Sequence, residues 1–179
     1  MVSLPLILPP SVLGFYLLLG FSPQNAFGEF LDRYFDVRLV FTFEGLVVAS
    51  IIYSLPFMVQ PIYNGLRSIP TTLIEASYSL GKSRLTTLMK VLLPNARSGI
   101  ITGLVLTFAH TVGEFGVVLM VGGNIPNETR VVSIALYDEV EAMNYVQANA
   151  YAITLLIFAM LTLSVVYVVN ATSNVNKVI

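Results

Sequence analysis

The chain contains no cysteine, no tryptophan and only one histidine, His110. Without cysteine there are no disulfides, thiolate metal sites, iron–sulfur clusters or sulfur nucleophiles. A lone histidine leaves little from which to build a metal centre. Charge is scarce too: 11% of the 179 residues, against about 25% in an ordinary soluble domain. Hydrophobic residues make up 56%, and the mean hydropathy is +0.81. A globule of this size cannot hide so much apolar surface from water. The net charge of −1 offers no basic excess for nucleic acid and no acidic tail. These absences exclude a soluble enzyme and point to an all-α integral membrane protein with the lipid bilayer as its partner solvent.

What is present is a pattern of charge-free stretches. Met1–Gly28, Gly45–Leu66 and Ala142–Asn176 carry no formal charge, and Ser98–Pro126 carries only Glu114. A helix needs about 20 apolar residues to cross about 30 Å of hydrocarbon. Four spans are therefore expected: Leu4–Phe21, Gly45–Leu66, Gly99–Val121 and Tyr151–Val169. Pro5, Pro9 and Pro10 interrupt the first, and Pro56 and Pro61 the second. Such breaks are tolerated where neighbouring helices or a polar cavity satisfy the freed backbone groups, which favours a packed multi-span bundle. The start, SLPLILPPSVLGFYLLLGF after Met1-Val2, has neither the positive region nor the cleavage site of a signal peptide.

Lys and Arg set the expected orientation. Arg67, Lys82, Arg84, Lys90 and Arg97 face one acid, Glu75, in the segment between the second and third spans. The Glu29–Glu44 loop sets Arg33 and Arg38 against Glu29, Asp32, Asp36 and Glu44, and Asn127–Glu141 has Arg130 alone against four acids. The basic segment is expected in the cytoplasm and the acidic ones outside, with Lys177 placing the C-terminus inside.

Pro70–Pro94, PTTLIEASYSLGKSRLTTLMKVLLP, is too polar to span and too apolar for a plain loop. Thr72-x-x-Glu75 has capping-box spacing. Ile74, Tyr78, Gly81, Leu85, Leu88 and Leu92 recur as a helical face. Glycine inside a helix costs about 1 kcal/mol relative to alanine, so Gly81 marks a turn between two short helices. Pro94 should separate the second from the next span. Physics alone leaves two readings, a helix lying on the bilayer or one presented to a partner's groove. Ala76-x₄-Gly81-Lys82-Ser83 loosely fits a P-loop, but lacks the glycine-rich loop and preceding strand that cradle phosphate.

Glu75-Ala76-Ser77, Gly81 and Val91-x-Leu93-Pro94 resemble the EAA signature, E-A-A-x₃-G-x₉-I-x-L-P, of prokaryotic ABC importer permeases. Every spacing is met; Ser77 replaces Ala and Val91 replaces Ile. The resemblance implies that Glu75, Ala76, Ser77, Gly81, Val91, Leu93 and Pro94 form a cytoplasmic helix-turn-helix that docks on a separate ABC ATPase subunit. Two ATPases, a second copy of the chain and an extracytoplasmic binding protein would complete the assembly. The chain itself would carry no cofactor and perform no chemistry.

Further along, GEFG followed by GGNIPNETR resembles the oxyanion branch of that family, most of all the molybdate permeases. That marks Glu114, Gly116, Asn124, Pro126, Glu128, Thr129 and Arg130 as an outer region, with Glu114, Gly116, Asn124, Thr129 and Arg130 as substrate-path candidates. Sulfate and tungstate are the alternative cargoes. The guanidinium fork of Arg130 matches a tetrahedral oxyanion, but a surface pair with Glu128 or Asp138 is the reading preferred for it. Glu114 is open to three readings: a pore-lining residue, a proton carrier with His110 in a secondary transporter, or a carboxylate capping a broken helix. The resemblance covers residues 1–179 as one permease domain, with 70–94 as its coupling segment. Family members carry about two further spans ahead of a segment like LPLILPPSVLG, so this chain is expected to be N-terminally short.

Overall fold

Proline marks the ends of some helices and is passed over in others. The computed structural model describes the backbone of residues 4–175 and the side chains of residues 4–168. Among the described residues every regular element is helical. Helix α1 covers Leu4–Ile7 and α2 covers Pro10–Phe21, with the break falling just before Pro9 and Pro10. The expected first span is thus two pieces, and α2, with 12 residues, reaches only about 18 Å. Helix α3 (Ala26–Phe35) precedes α4 (Phe43–Arg67), which runs unbroken for 25 residues. Pro56 and Pro61 therefore do not interrupt it, contrary to expectation.

The chain continues through α5 (Thr71–Ser79), α6 (Arg84–Thr87), a wide π-turn over Leu88–Leu92 and α7 (Leu93–Asn95). Helix α8 (Arg97–Gly113) ends before Glu114, and α9 (Gly116–Gly122) resumes after it. The expected continuous span Gly99–Val121 is thus two helices. Helices α10 (Val132–Glu141) and α11 (Tyr145–Val175) follow. Two described helices are long and apolar enough to cross a membrane alone, Phe43–Arg67 and Tyr145–Val168. A third arises if Arg84–Asn95 and Arg97–Gly113, bent by 67°, count as one broken span. The expected count of four is not reproduced, because Pro9, Pro10 and the Glu114 break shorten the other candidates. Lys177 lies outside the described residues.

The chain divides into two compact units. The first comprises Met1–Pro56 and Ala109–Ala159. Its core joins Phe21, Leu39, Ala49, Tyr53, Val117 and Val121, with a smaller cluster of Leu46, Val118 and Ile134. Helix α9 supplies valines to both. Gly14 lets α2 approach it: a Cβ there would stand 3.0 Å from the Val117 Cα. Ser54, buried two residues before Pro56, bonds Thr111 across 2.8 Å. The bond ties α4 to α8 beside the proline.

The second unit comprises Phe57–Phe108 and Met160–Ile179. Within it α4 and α8 cross at small residues: a Cβ on Gly99 would lie 2.5 Å from the Pro61 carbonyl oxygen, and one on Gly103 2.9 Å from that of Met58. This is the close backbone approach by which membrane helices associate.

Candidate functional site

Two places gather the residues singled out by sequence, and each is built by local backbone chemistry. The first is the Pro70–Pro94 hairpin. Pro70, with φ −59° and ψ 135°, occupies the N-cap of α5, so Thr71 opens the helix. The expected Thr72–Glu75 capping box is not formed: Thr72 is already inside the first turn, and the cap residue makes no side-chain bond. Proline's fixed φ and missing N–H suit it to a helix start without that box.

Helix α5 ends in a Schellman motif. The Gly81 N–H bonds the Tyr78 carbonyl at 2.9 Å and the Lys82 N–H bonds the Ser77 carbonyl at 3.2 Å. That closure needs a left-handed residue, supplied by Gly81 at φ +71°. Ser83 then caps α6, its Oγ accepting from the Thr86 N–H at 3.2 Å. Helix precedes and follows Gly81-Lys82-Ser83, and neither side is a strand, so the P-loop pattern has no structural basis.

The two halves of the hairpin meet at Ser77 and Thr87, both buried, whose hydroxyl oxygens lie 2.9 Å apart. Thr87 also donates to the Ser83 carbonyl at 3.0 Å. Leu73, Ala76, Ser77, Leu80, Lys82, Thr86, Lys90 and Val91 line an open cavity of about 270 Å³. Both ends of the signature thus reach one place: Ala76, Ser77 and Val91 share the cavity, while Glu75 and Pro94 are exposed and Leu93 is half-buried.

Ahead of Pro94 the helix widens, and the Leu93 N–H bonds the Leu88 carbonyl five residues back. A proline ring collides with the carbonyl four residues earlier, here Lys90, and a wide turn relieves that contact. The sharp bend comes at Ala96, two residues after Pro94. Thr87 and the wide turn escaped sequence reasoning. A hydroxyl ten residues from Ser77 was the available signal.

The second place is the break after α8. Glu114 is 5% exposed, and its Oε1 accepts from the Val117 N–H at 2.8 Å, closing an open amide at the start of α9. The Glu114 carbonyl accepts from the Ser133 hydroxyl. His110 Nε2 lies 4.0 Å from Glu114 Oε2, and its ring packs on Tyr53 with centroids 4.8 Å apart. Gly116 is needed for space, since a Cβ would stand 2.9 Å from the Pro10 Cβ.

At the other end of α9, Gly123 and Asn124 both take left-handed conformations, φ +69° and +57°. Thr129, 1% exposed, staples this loop: its hydroxyl donates to the Gly122 carbonyl at 2.7 Å and accepts from the Ile125 N–H at 2.8 Å. Asp138 receives Asn124 Nδ2 at 3.0 and 3.2 Å and Arg130 Nη2 at 3.0 Å. Of the two carboxylates open to Arg130, Asp138 is the one it meets; Glu128 is exposed. One residue earlier, Tyr137 donates to Glu141 Oε1 at 2.6 Å, and that bond raises its phenol above the usual range.

Asn124, Thr129 and Arg130 are thus brought together, while Glu114 and Gly116 sit at the far end of a seven-residue helix. The loop's one cation is compensated by Asp138, so the cluster is built first as scaffold. No group of three or more metal-ligating side chains occurs among the described residues.

Comparison with known proteins identifies the family. Residues 1–174 match the family described as binding-protein-dependent transport system inner membrane component. The chain is 49% identical over 166 residues to the molybdenum transport system permease protein ModB of Azotobacter vinelandii, covering 93% of this chain and 74% of that one. It is 38% identical over 136 residues to ModB of Escherichia coli K12, covering 76% and 59%. Against the sulfate transport system permease protein CysT of Salmonella typhimurium the identity is 34% over 163 residues, covering 91% and 58%. The chain therefore spans under two thirds of the length of the latter two relatives.

Proposed function

We propose, from the premise that this chain belongs to the family of binding-protein-dependent transport system inner membrane components, that it is the permease subunit of an ATP-driven oxyanion importer whose cargo is molybdate. The observation that carries the cargo is the 49% identity, over 93% of the chain, to a molybdenum transport permease. Sulfate is the second reading, favoured by the 34% identity to a sulfate permease.

The chain is a multi-pass inner-membrane protein. The five basic residues from Arg67 to Arg97 support a cytoplasmic hairpin, and the C-terminus shares that side in this reading. There Glu75, Ala76, Ser77, Gly81, Val91, Leu93 and Pro94 engage a separate ATPase, two copies serving a homodimer of permeases. The Schellman closure and the Ser77–Thr87 bond support this reading, because a hairpin that transmits force must move as one body. An external binding protein delivers the anion at the acidic side. ATP binding closes the ATPases and moves the hairpins, and α8, which follows each hairpin directly, carries that motion toward the Glu114 break. The Glu114–Val117 bond supports a capping role for this carboxylate over proton transport. Hydrolysis occurs on the partner and resets the cycle.

The test is isolation of the tagged chain from native membranes in mild detergent with identification of what accompanies it. A P-loop ATPase that is retained by the unaltered chain and lost on Gly81→Val supports the importer. A well-folded chain that emerges without any ATPase overturns it. Uptake of labelled molybdate competed by excess sulfate at equal potency would transfer the cargo assignment to sulfate.

A further inference from the structure

Helix α3 has three distinct sides. Gly28 and Leu31 form the side that meets the rest of the first unit. Leu31 packs on the main core cluster, and a Cβ on Gly28 would lie 2.1 Å from the Ser22 carbonyl oxygen. Glu29, Asp32 and Arg33 occupy one flank by their spacing at 3.6 residues per turn. Asp32 there receives Arg38 Nε at 2.9 Å. Phe27, Phe30 and Tyr34 occupy the opposite flank and are 52%, 47% and 69% exposed, with Phe35 at the helix end 63% exposed.

These rings are organised. Phe30 contacts Tyr34 and Phe35 at centroid separations of 5.1 and 5.7 Å. Phe27 lies 6.3 Å from Phe21, the last residue of the apolar helix α2, so the aromatic flank adjoins the end of an apolar helix. The helix cannot roll to bury it. Beyond Asp36, Leu39 is buried in the core and the Phe41 N–H bonds the Val121 carbonyl at 2.9 Å, while Gly28 pins the other end.

We infer that α3 is an interfacial anchor, lying along the outer membrane surface with Phe27, Phe30 and Tyr34 inserted at the headgroup–acyl boundary and its charged flank in water. Aromatic rings concentrate at that boundary, and a helix with an apolar and a charged flank lies in its plane. With Glu29 and Asp32 set against Arg33 and Arg38, the polar flank has no cationic excess, so a zwitterionic lipid surface suffices. This holds whichever solute the protein moves.

The absence of tryptophan makes the test direct, because one introduced indole reports one position. The full chain carrying Phe30→Trp, or in a second preparation Tyr34→Trp, is reconstituted into phosphatidylcholine nanodiscs; Glu29→Trp serves as the opposite-flank control. Emission is read with lipids brominated near the headgroup, with lipids brominated deep in the chain, and with aqueous iodide. The anchor predicts blue-shifted emission for Phe30→Trp and Tyr34→Trp, lost more to shallow bromine than to deep bromine or iodide, and the reverse preference for Glu29→Trp. Quenching of both aromatic-flank reporters by iodide alone would overturn it by placing the flank in water. Protection from iodide and bromine alike would also overturn it, assigning the flank to a second copy or a protein partner.

Discussion

Ser77 and Thr87 close the Pro70–Pro94 hairpin through a buried 2.9 Å contact between their hydroxyls, and Ser77 stands where the signature it resembles has alanine. The substitution therefore brings a polar group into a place that already holds its partner. Replacing Thr87 by Val should cost about 1–3 kcal/mol, because a buried Ser77 hydroxyl loses that partner. Replacing Ser77 by Ala should cost less, about 0.5–1.5 kcal/mol, since Thr87 still donates to the Ser83 carbonyl. Thermal midpoints of the two variants in detergent check the order, and a Ser77→Ala protein less stable than Thr87→Val would contradict the pairing.

Gly81 presents a different constraint. No atom lies within 4 Å of where its Cβ would be, so the demand is purely conformational, from φ +71°. Gly81→Val should strain the turn by about 1–2 kcal/mol and abolish ATPase co-isolation while the chain still inserts. Gly81→Asn, which visits the left-handed region readily, should retain the partner. Equal losses in both variants would mean that the side chain and not the backbone is at fault.

Glu114 separates capping from proton transport. Glu114→Gln keeps a side-chain oxygen for the Val117 N–H, so uptake should persist, whereas Glu114→Ala leaves that amide open and should lower stability by about 0.5–2 kcal/mol. Uptake assays with and without an uncoupler decide it. A dead Glu114→Gln protein combined with uncoupler sensitivity would favour a proton-driven carrier.

Gly99 and Gly20 form a matched pair. Gly99→Ala would force a methyl to 2.5 Å from the Pro61 carbonyl oxygen, and overpacking of that kind costs about 1–3 kcal/mol. Gly20 has nothing within 4 Å, so Gly20→Ala should be neutral or stabilise α2 by up to about 1 kcal/mol. Unfolding midpoints of the two purified variants should move in opposite directions or differ clearly in size.

The sequence made the all-helical membrane class, the turn at Gly81 and the family legible, because each rests on composition or local spacing. Span continuity was not. Pro56 and Pro61 read as breaks, yet α4 passes through both and packs close against α8 at Ser54–Thr111 and Gly99. Conversely, Gly99–Val121 read as one apolar stretch, and only the fold reveals that the Glu114 carboxylate turns back to the Val117 amide and starts a second helix. The capping box failed because Pro70 outcompeted Thr72 for the start of α5. In the loop after α9, Arg130 and Asp138 are eight residues apart and were one of two possible pairs; the left-handed turns at Gly123, Asn124 and Asn127 shape the loop that brings that one together.

The wide turn over Leu88–Leu92 holds one residue more per revolution than an α-helix would. That surplus lies within the second arm of the hairpin, where Val91 reaches the cavity it shares with Ala76 and Ser77. Taking it up would rotate everything before the turn by about 100° around the axis, one residue's share of a helical turn, without dissolving either neighbouring segment. Pro94, which cannot return a hydrogen bond to Lys90, keeps that surplus from being drawn out along the chain and confines it to five residues. The second arm of the hairpin thus holds its spare residue at a fixed location, ending two residues ahead of Pro94.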